Sequence, residues 1–162
     1  MSGLIQSKGE SSELLQLVSF KIGNEEFGVD ILKVQEINKM VPITKVPNSP
    51  VFVEGVINLR GKVIPIVDFR TRLGMKKIEH TKDTRIVVVD VEGKTIGFIV
   101  DSVSEVLRIP ANITEAPPEI VTGIDSEFIK SVGKLEDRLL ILIDLNKILS
   151  VNEKNELNNV AQ

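Results

Sequence analysis

Gly55-Val-Ile-Asn-Leu-Arg-Gly-Lys-Val-Ile-Pro-Ile-Val-Asp-Phe-Arg70 is the stretch on which the fold turns. Val56, Ile57 and Leu59 precede a turn at Arg60-Gly61-Lys62, and Val63, Ile64, Ile66 and Val67 follow it. Two short β-branched runs split by a Gly-containing turn read as a β-hairpin. Pro65 cannot donate a ladder hydrogen bond, which places its strand at a sheet edge or a bulge. Asp68 ends the strand and caps a short helix over Phe69 to Leu73, which Gly74 closes. Arg60 is a permanent cation at the tip of an apolar hairpin. A turn arginine costs little and needs no function. The alternative is a forked donor presented on a rigid tip.

Working outward from the hairpin, Leu14 to Ile22 reads as a strand, Gly23-Asn24 as a turn and Glu26 to Val29 as the return. Asp30 can cap one helical turn before a strand over Val34 to Val41. Ile43 to Pro47 is extended, because Pro47 disfavours helix at Val46. Asn48 or Ser49 then caps a helical turn with Pro50 near its start and Gly55 at its end. Residues 75–83 are charged and irregular and read as a linker. Beyond it, strands are expected at Ile86 to Val91, Thr95 to Val100 and Val103 to Ile109. A long connection starts at Pro117-Pro118 and passes Thr122-Gly123. A last hairpin covers Phe128 to Leu135 and Leu139 to Ile143, and Asp144 caps a helix with Leu145, Ile148 and Leu149 on one face. Residues 1–13 and 151–162 read as mobile tails around a domain of 14–150.

The two blocks flanking the linker repeat. Val34-Gln35-Glu36-Ile37 recurs 69 positions on as Val103-Ser104-Glu105-Val106. Ile43 to Pro47 recurs 70 on as Ile113 to Pro117, and Val56, Leu59, Asp68 and Phe69 recur 76 on as Val132, Leu135, Asp144 and Leu145. Two copies of a β unit of roughly 60–70 residues, each too small to bury much core alone, predict two small barrels packed together. Arg60, Gly61 and Pro65 become Glu136, Asp137 and Ile141 in the second copy, so the fold does not demand them and Arg60 is expected to act on the first copy only.

Composition excludes several classes. The 162 residues are 42% hydrophobic and 27% charged, with a formal net charge of −3, which argues against a phosphate-neutralising surface. There is no Trp or Tyr to stack on bases. Zero cysteines remove disulfides and thiolate chemistry. No apolar run reaches the roughly 20 residues that span a bilayer, and the N-terminus lacks a secretory core, so a cytoplasmic protein is expected. The one histidine, His80, has no neighbouring ligand types and reads as a solvated loop residue. No Gly-x-Ser-x-Gly elbow or phosphate-cradling glycine loop is present. Asp68 and Asp144 could serve as paired carboxylates of a small hydrolase, but their place at helix starts favours capping. Glu36 and Glu105 sit in apolar strands, on the solvent side. Ile31, Val34 and Ile37 near Glu36 leave a strand with few charges to blunt its edge, which invites another chain. As plain core aliphatics they would need no partner.

Gly28 to Ile37, Val46 to Pro50 and Gly55 to Phe69, with Gly97 to Asp101 and Asp137 to Leu142, resemble the CheW-like domain family, that of the bacterial chemotaxis adaptor CheW. The likeness covers Leu14 to Ser150. The same domain occurs in CheA and CheV; the absence of a kinase or receiver segment favours the free adaptor. The resemblance implies a mainly β fold of two intertwined five-stranded SH3-like β-barrels with short helices, and no catalysis, metal or cofactor. It implies two partners, the CheA histidine kinase regulatory domain and the cytoplasmic tip of methyl-accepting chemotaxis receptors. It further implies localisation to receptor arrays at the inner face of the membrane, without direct membrane insertion. By position, it puts receptor or kinase coupling on Ile31, Val34, Glu36, Gly55, Arg60, Gly97 and Val106, near a groove between the barrels.

Overall fold

The computed structural model describes residues 13–117 and 128–149. The first hairpin is β1 (Leu14–Ile22) and β2 (Glu25–Asp30). A 3-10 turn, Ile31–Lys33, is capped by the Asp30 carboxylate, which accepts from the Leu32 N–H at 2.9 Å, and leads into β3 (Val34–Lys39). The central hairpin is β4 (Val53–Leu59) and β5 (Lys62–Asp68), followed by α1 (Phe69–Arg72). After residues 75–83, which hold no helix or strand, come β6 (Arg85–Val91), β7 (Lys94–Val100), β8 (Ser102–Pro110), a 3-10 turn at Ala111–Ile113 and β9 (Thr114–Glu115). β10 (Ile129–Lys134), β11 (Leu139–Ile143) and a 3-10 turn at Leu145–Lys147 follow. The expected tails and the stretch from Pro118 through Gly123 lie outside the described residues, apart from Glu13.

The strands form two sheets with one plan. The order is β3-β6-β7-β5-β4 in one and β8-β1-β2-β11-β10-β9 in the other. Each sheet closes on itself, because the chain leaving one edge strand returns to the far edge. Beyond β3, Thr44 bridges Val56 of β4; beyond β8, Thr114 and Glu115 pair with β10. That second return is long enough to count as a strand, so one sheet has six strands where five were expected. The repeat now has a topological meaning. At the sequence shifts of 69 and 76, β3 matches β8, β1 matches β6, β2 matches β7, β4 matches β10 and β5 matches β11. Each barrel therefore holds a hairpin from the opposite copy: β6–β7 sits inside the first and β1–β2 inside the second.

Each hairpin docks through a short parallel pairing, Ile66 opposite Gly97 in one barrel and Leu142 opposite Gly28 in the other. Burial then divides into three cores. Ile57, Ile64, Ile66, Ile86, Val88 and Ile99 fill the first barrel, and Leu17, Ile109, Leu140 and Leu142 fill the second. A larger shared core lies between them, centred on Phe69, whose ring lies 5.2 Å from Phe20, 5.7 Å from Phe27 and 5.6 Å from Phe98. Phe69 follows directly on the Asp68 cap, where the carboxylate accepts from the Arg70 N–H at 2.9 Å. Asp144 repeats the cap on Asn146 at 3.0 Å.

Two local expectations fail. Pro65 is in β5, an interior strand, and the bulge lies opposite in β4, between Val53 and Gly55. Its partner Val56 spends both its N–H and its C=O on Thr44, so the Val56–Pro65 pair exchanges no hydrogen bonds. Parallel pairing to β7 begins only at Ile66, so no neighbour needs the missing donor. The helical turn expected between Asn48 and Gly55 does not form; residues 47–48 and 51–52 are turns. Gly55 lies inside β4 at φ 153°, where a Cβ would collide with the Thr44 carbonyl oxygen and come within 2.8 Å of Ile43 Cγ2.

One polar node ties the elements together. Asp101 alone separates β7 of the first barrel from β8 of the second. Its carboxylate accepts from Arg70 Nε at 2.9 Å, Arg70 Nη2 at 2.7 Å and the Gly23 N–H at 2.7 Å, while its own N–H donates to Lys21 O at 3.1 Å. Burial acts to raise the Asp101 pKa, but Arg70 and the Gly23 N–H outweigh it, and the net shift is downward. Asp68 shifts the other way: burial dominates and raises it, against the N–H groups of Thr71 and Arg70.

Three consequences are measurable. Alanine at Gly55 meets backbone at a positive φ; at Gly97 it meets the buried Ile66 at 2.6 Å and Ile86 at 2.9 Å; at Gly28 its tightest contact is Leu142 at 3.2 Å. Urea unfolding is expected to rank the losses Gly55→Ala, then Gly97→Ala at about 1–3 kcal/mol, then Gly28→Ala. A depressed folded-state pKa gives stability that is full above the unfolded value and is lost as pH falls through the folded one. Asp101→Asn is therefore expected to cost about 1–2 kcal/mol at pH 7 and to converge with the parent as pH drops below the ordinary carboxylate value of about 3.9. Asp68→Asn keeps a capping residue and removes a charge whose pKa is raised, so it is expected to unfold no earlier than the parent at pH 7.

Candidate functional site

Three of the seven expected residues lie on one line across the first barrel. Gly55 pairs with Ile66, Ile66 with Gly97, Gly97 with Val88, and Val88 with Glu36. Gly55 and Gly97 are buried, so neither reaches a partner itself; they set the close spacing of the strands beneath the surface. Glu36 ends the line on the edge strand β3. Its side chain is half-buried, at 21% exposure, and its neighbour Ile37 is the more exposed of the two. β3 alternates without a break, half-buried at Val34, Glu36 and Asn38 and exposed at Gln35, Ile37 and Lys39.

Arg60 reaches Glu36 from the tip of the β4–β5 hairpin and forms an ion pair with it. The tip is a two-residue turn with Arg60 at φ 54° and Gly61 at φ 85°, held by the Asn58 side chain, which accepts from the Gly61 N–H at 2.8 Å. Positive φ at both positions is the turn that matches strand twist. Glu92-Gly93 repeats it in the β6–β7 hairpin, so a charged residue at the first position is a tolerated choice there. Arg60 stays 72% exposed, its guanidinium set over the seam where β3 meets the hairpin.

The first copy does not hold the only such pair. In the second barrel the matching line runs Glu105, Ser19, Gly28, Leu142, Ser131. Arg138, two residues beyond the position matching Arg60, reaches Glu105 at 3.3 Å. Its main partner is Glu26, buried, at 2.6 Å, and Ser19 Oγ donates to the same carboxylate at 2.8 Å. Glu26, by hydrogen bond and then by charge, raises the Arg138 pKa above its ordinary value. Glu26 itself carries no mark in the sequence, since it follows Glu25 beside a turn and looks solvated. Asp137-Arg138 at the hairpin tip, facing the repeated Glu105, was the available signal.

The remaining expected residues do not join the line. Ile31 opens the 3-10 turn and Val34 follows it, both half-buried against the shared core. Val106 is exposed on β8 of the other barrel, opposite Val18. Leu32, unremarked in the sequence, projects between Ile31 and Lys33 at 87% exposure. A groove of about 510 Å³ opens beside it, floored by Leu14, Leu15, Ile31 and Leu32, with Asp30 and Lys130 among its charged residues. Of the seven, only Ile31 lines it. Among the described residues no cluster of acidic or histidine side chains could hold a metal, and no helix is long and apolar enough to cross a membrane.

A duplicated, strand-exchanged pair of barrels with a charged seam on each defines a class of β scaffold. Residues 16–153 match the CheW-like domain, and the chain belongs to that family. It is 37% identical over 147 residues to the chemotaxis protein CheW of Klebsiella aerogenes, covering 91% of this chain and 89% of that one. It is 39% identical over 138 residues to a probable chemotaxis protein CheW of Rhizobium etli, covering 85% and 89%. The crystal structure of the scaffolding protein TtCheW from Thermoanaerobacter tengcongensis superposes with a TM-score of 0.80 at 42% identity, over 87% of this chain and 96% of that one.

The two seams are expected to differ in weight. An exposed pair such as Arg60–Glu36 contributes at most about 1 kcal/mol, so Glu36→Gln should hardly move the thermal midpoint. Glu26→Gln removes the charge and leaves one amide oxygen where Arg138 and Ser19 each have a carboxylate oxygen, so it should lower the midpoint clearly. Equal shifts in differential scanning fluorimetry would contradict this ordering.

Proposed function

We propose that this chain is a non-catalytic chemotaxis adaptor that couples methyl-accepting receptors to the CheA histidine kinase by binding both. The observation that carries the reading is the line Gly55–Gly97–Glu36, ended by the exposed Arg60 guanidinium, within a chain of the CheW-like family. Buried glycines let the strands pack closely, and the charged pair then sits on a rigid edge. The receptor's apolar helical tip is met by aliphatics at Ile31, Val34 and Val106, while Arg60 and Glu36 set its register by charge. The kinase regulatory domain, itself a related fold, takes a separate face. Asp68 and Asp144 cap their turns, which supports a structural role for both carboxylates. The protein joins receptor arrays at the inner face of the membrane through these partners, without inserting itself.

Co-purification with a CheA regulatory domain and a receptor signalling fragment tests the reading. The parent should retain both. Arg60→Glu and Glu36→Lys should weaken receptor retention at least about tenfold, about 1.4 kcal/mol, with thermal midpoints close to the parent's. Parent-like receptor retention by both variants would refute the role given to the pair.

A further inference from the structure

The chain passes between the barrels at two places, and they are built differently. From β2 to β3 it crosses through Ile31–Lys33; from β7 to β8 it crosses at Asp101. The crossings lie at opposite ends of the β1–β2 hairpin. Asp30, which opens the first, pairs with Leu17, whereas Asp101 binds Lys21 and Gly23 at the turn. Five residues of strand, roughly 17 Å, separate Leu17 from Ile22.

The Asp101 crossing is tied by directional bonds. Its carboxylate joins Gly23, in the second barrel's hairpin, to Arg70, on the helix that follows β5 of the first. The Arg70 fork is bidentate, and Nη1 donates to Lys76 O at 3.2 Å, drawing the 75–83 stretch into the same node. Arg70 and Asp101 side chains are only 15% and 22% exposed. The repeat does not duplicate the tie. At the shift of 76 the position of Arg70 is Asn146, and at the shift of 69 the position of Asp101 is Leu32. At the other crossing Asp30 caps its own turn, and Ile31 and Val34 meet the shared core through apolar contact. Apolar contact is non-directional, whereas a bidentate pair fixes angle as well as distance.

We propose that the Arg70–Asp101 pair is the fixed point that sets the orientation of one barrel on the other, and that coupling between partners on the two barrels passes through it. The inference rests on the adaptor reading above. A partner seated at the Ile31–Lys33 end, beside the groove, acts at the far end of a lever whose pivot is Asp101. Arg70 and Asp101 are positioning residues; neither is a contact for either partner.

The chain has no cysteine, so Lys39→Cys on β3 and Lys134→Cys on β10 place one spin label on each barrel of the full-length protein. The parent background should give one narrow distance distribution. Asp101→Asn should at least double its width at pH 7. The same variant, without labels, should bind the receptor fragment and the kinase regulatory domain within twofold of the parent. Receptor-dependent kinase activity should fall at least fivefold. An unchanged distance distribution with parent-like activity overturns the proposal, and so does a loss of coupling accompanied by an equal loss of binary affinity. Arg70→Lys keeps the charge and removes the fork; it is read by the same criteria and decides the matter if Asp101→Asn does not fold. If the parent binds neither partner, the adaptor reading fails, while the label distances still judge the pivot.

Discussion

Neither barrel is completed from its own copy of the repeat. The β3, β4 and β5 strands leave a place that β6–β7 fills, and β8, β10 and β11 leave one that β1–β2 fills. The two parallel pairings at Gly97 and Gly28 are where this dependence is made physical. A side chain at either glycine would push the borrowed hairpin away from Ile66 or Leu142. The exchange also explains the size of the shared core. Phe20 and Phe27 arrive on one borrowed hairpin and Phe98 on the other, and all meet at Phe69. Units of roughly 60–70 residues are marginal alone, and the exchange makes one domain with a single shared core out of two of them.

That construction suits an adaptor. Two partners held on two independent modules would be tethered; held on one body, they are oriented. Each barrel repeats the same lateral line and ends it with a carboxylate facing an arginine from a hairpin tip, yet the two seams have diverged. Arg60 stays at the surface over a half-buried Glu36, whereas Arg138 turns toward the fully buried Glu26. Divergence of this kind lets one duplicated plan offer one seam to solvent and commit the other to the fold.

Much of this was legible in the chain, and the failures share a cause. Strand positions followed from β-branched runs and Gly turns, and the caps at Asp30, Asp68 and Asp144 from residue type at strand ends. The repeat was visible because its apolar matches keep register. Which copy supplied which hairpin was not, since pairing between distant strands leaves no mark in local periodicity. Pro65 was misplaced because a missing donor matters only when a neighbour faces it, and that neighbour is set by tertiary structure. Gly55 looked like a helix stop because Asn48, Pro50 and Gly55 have the right spacing; the need it meets is the approach of Thr44. Glu36 is half-buried because β3 alternates strictly and places it on the same side as Val34 and Asn38, so residue type misleads there and leaves the apolar Ile37 exposed. Arg60 stands out because it crowns an apolar hairpin and the second copy has Glu136 in its place, whereas Arg138 and Glu26 stand beside other charges near turns.

Cutting the chain between the two copies, at residue 79, asks most directly whether they depend on each other. Far-ultraviolet circular dichroism of fragments 1–79 and 80–162 should show neither folding alone, and a cooperative β signal appearing when they are mixed in equal amounts. A fragment that unfolds cooperatively by itself, with no gain on mixing, would contradict the exchange on which the two-faced body is built.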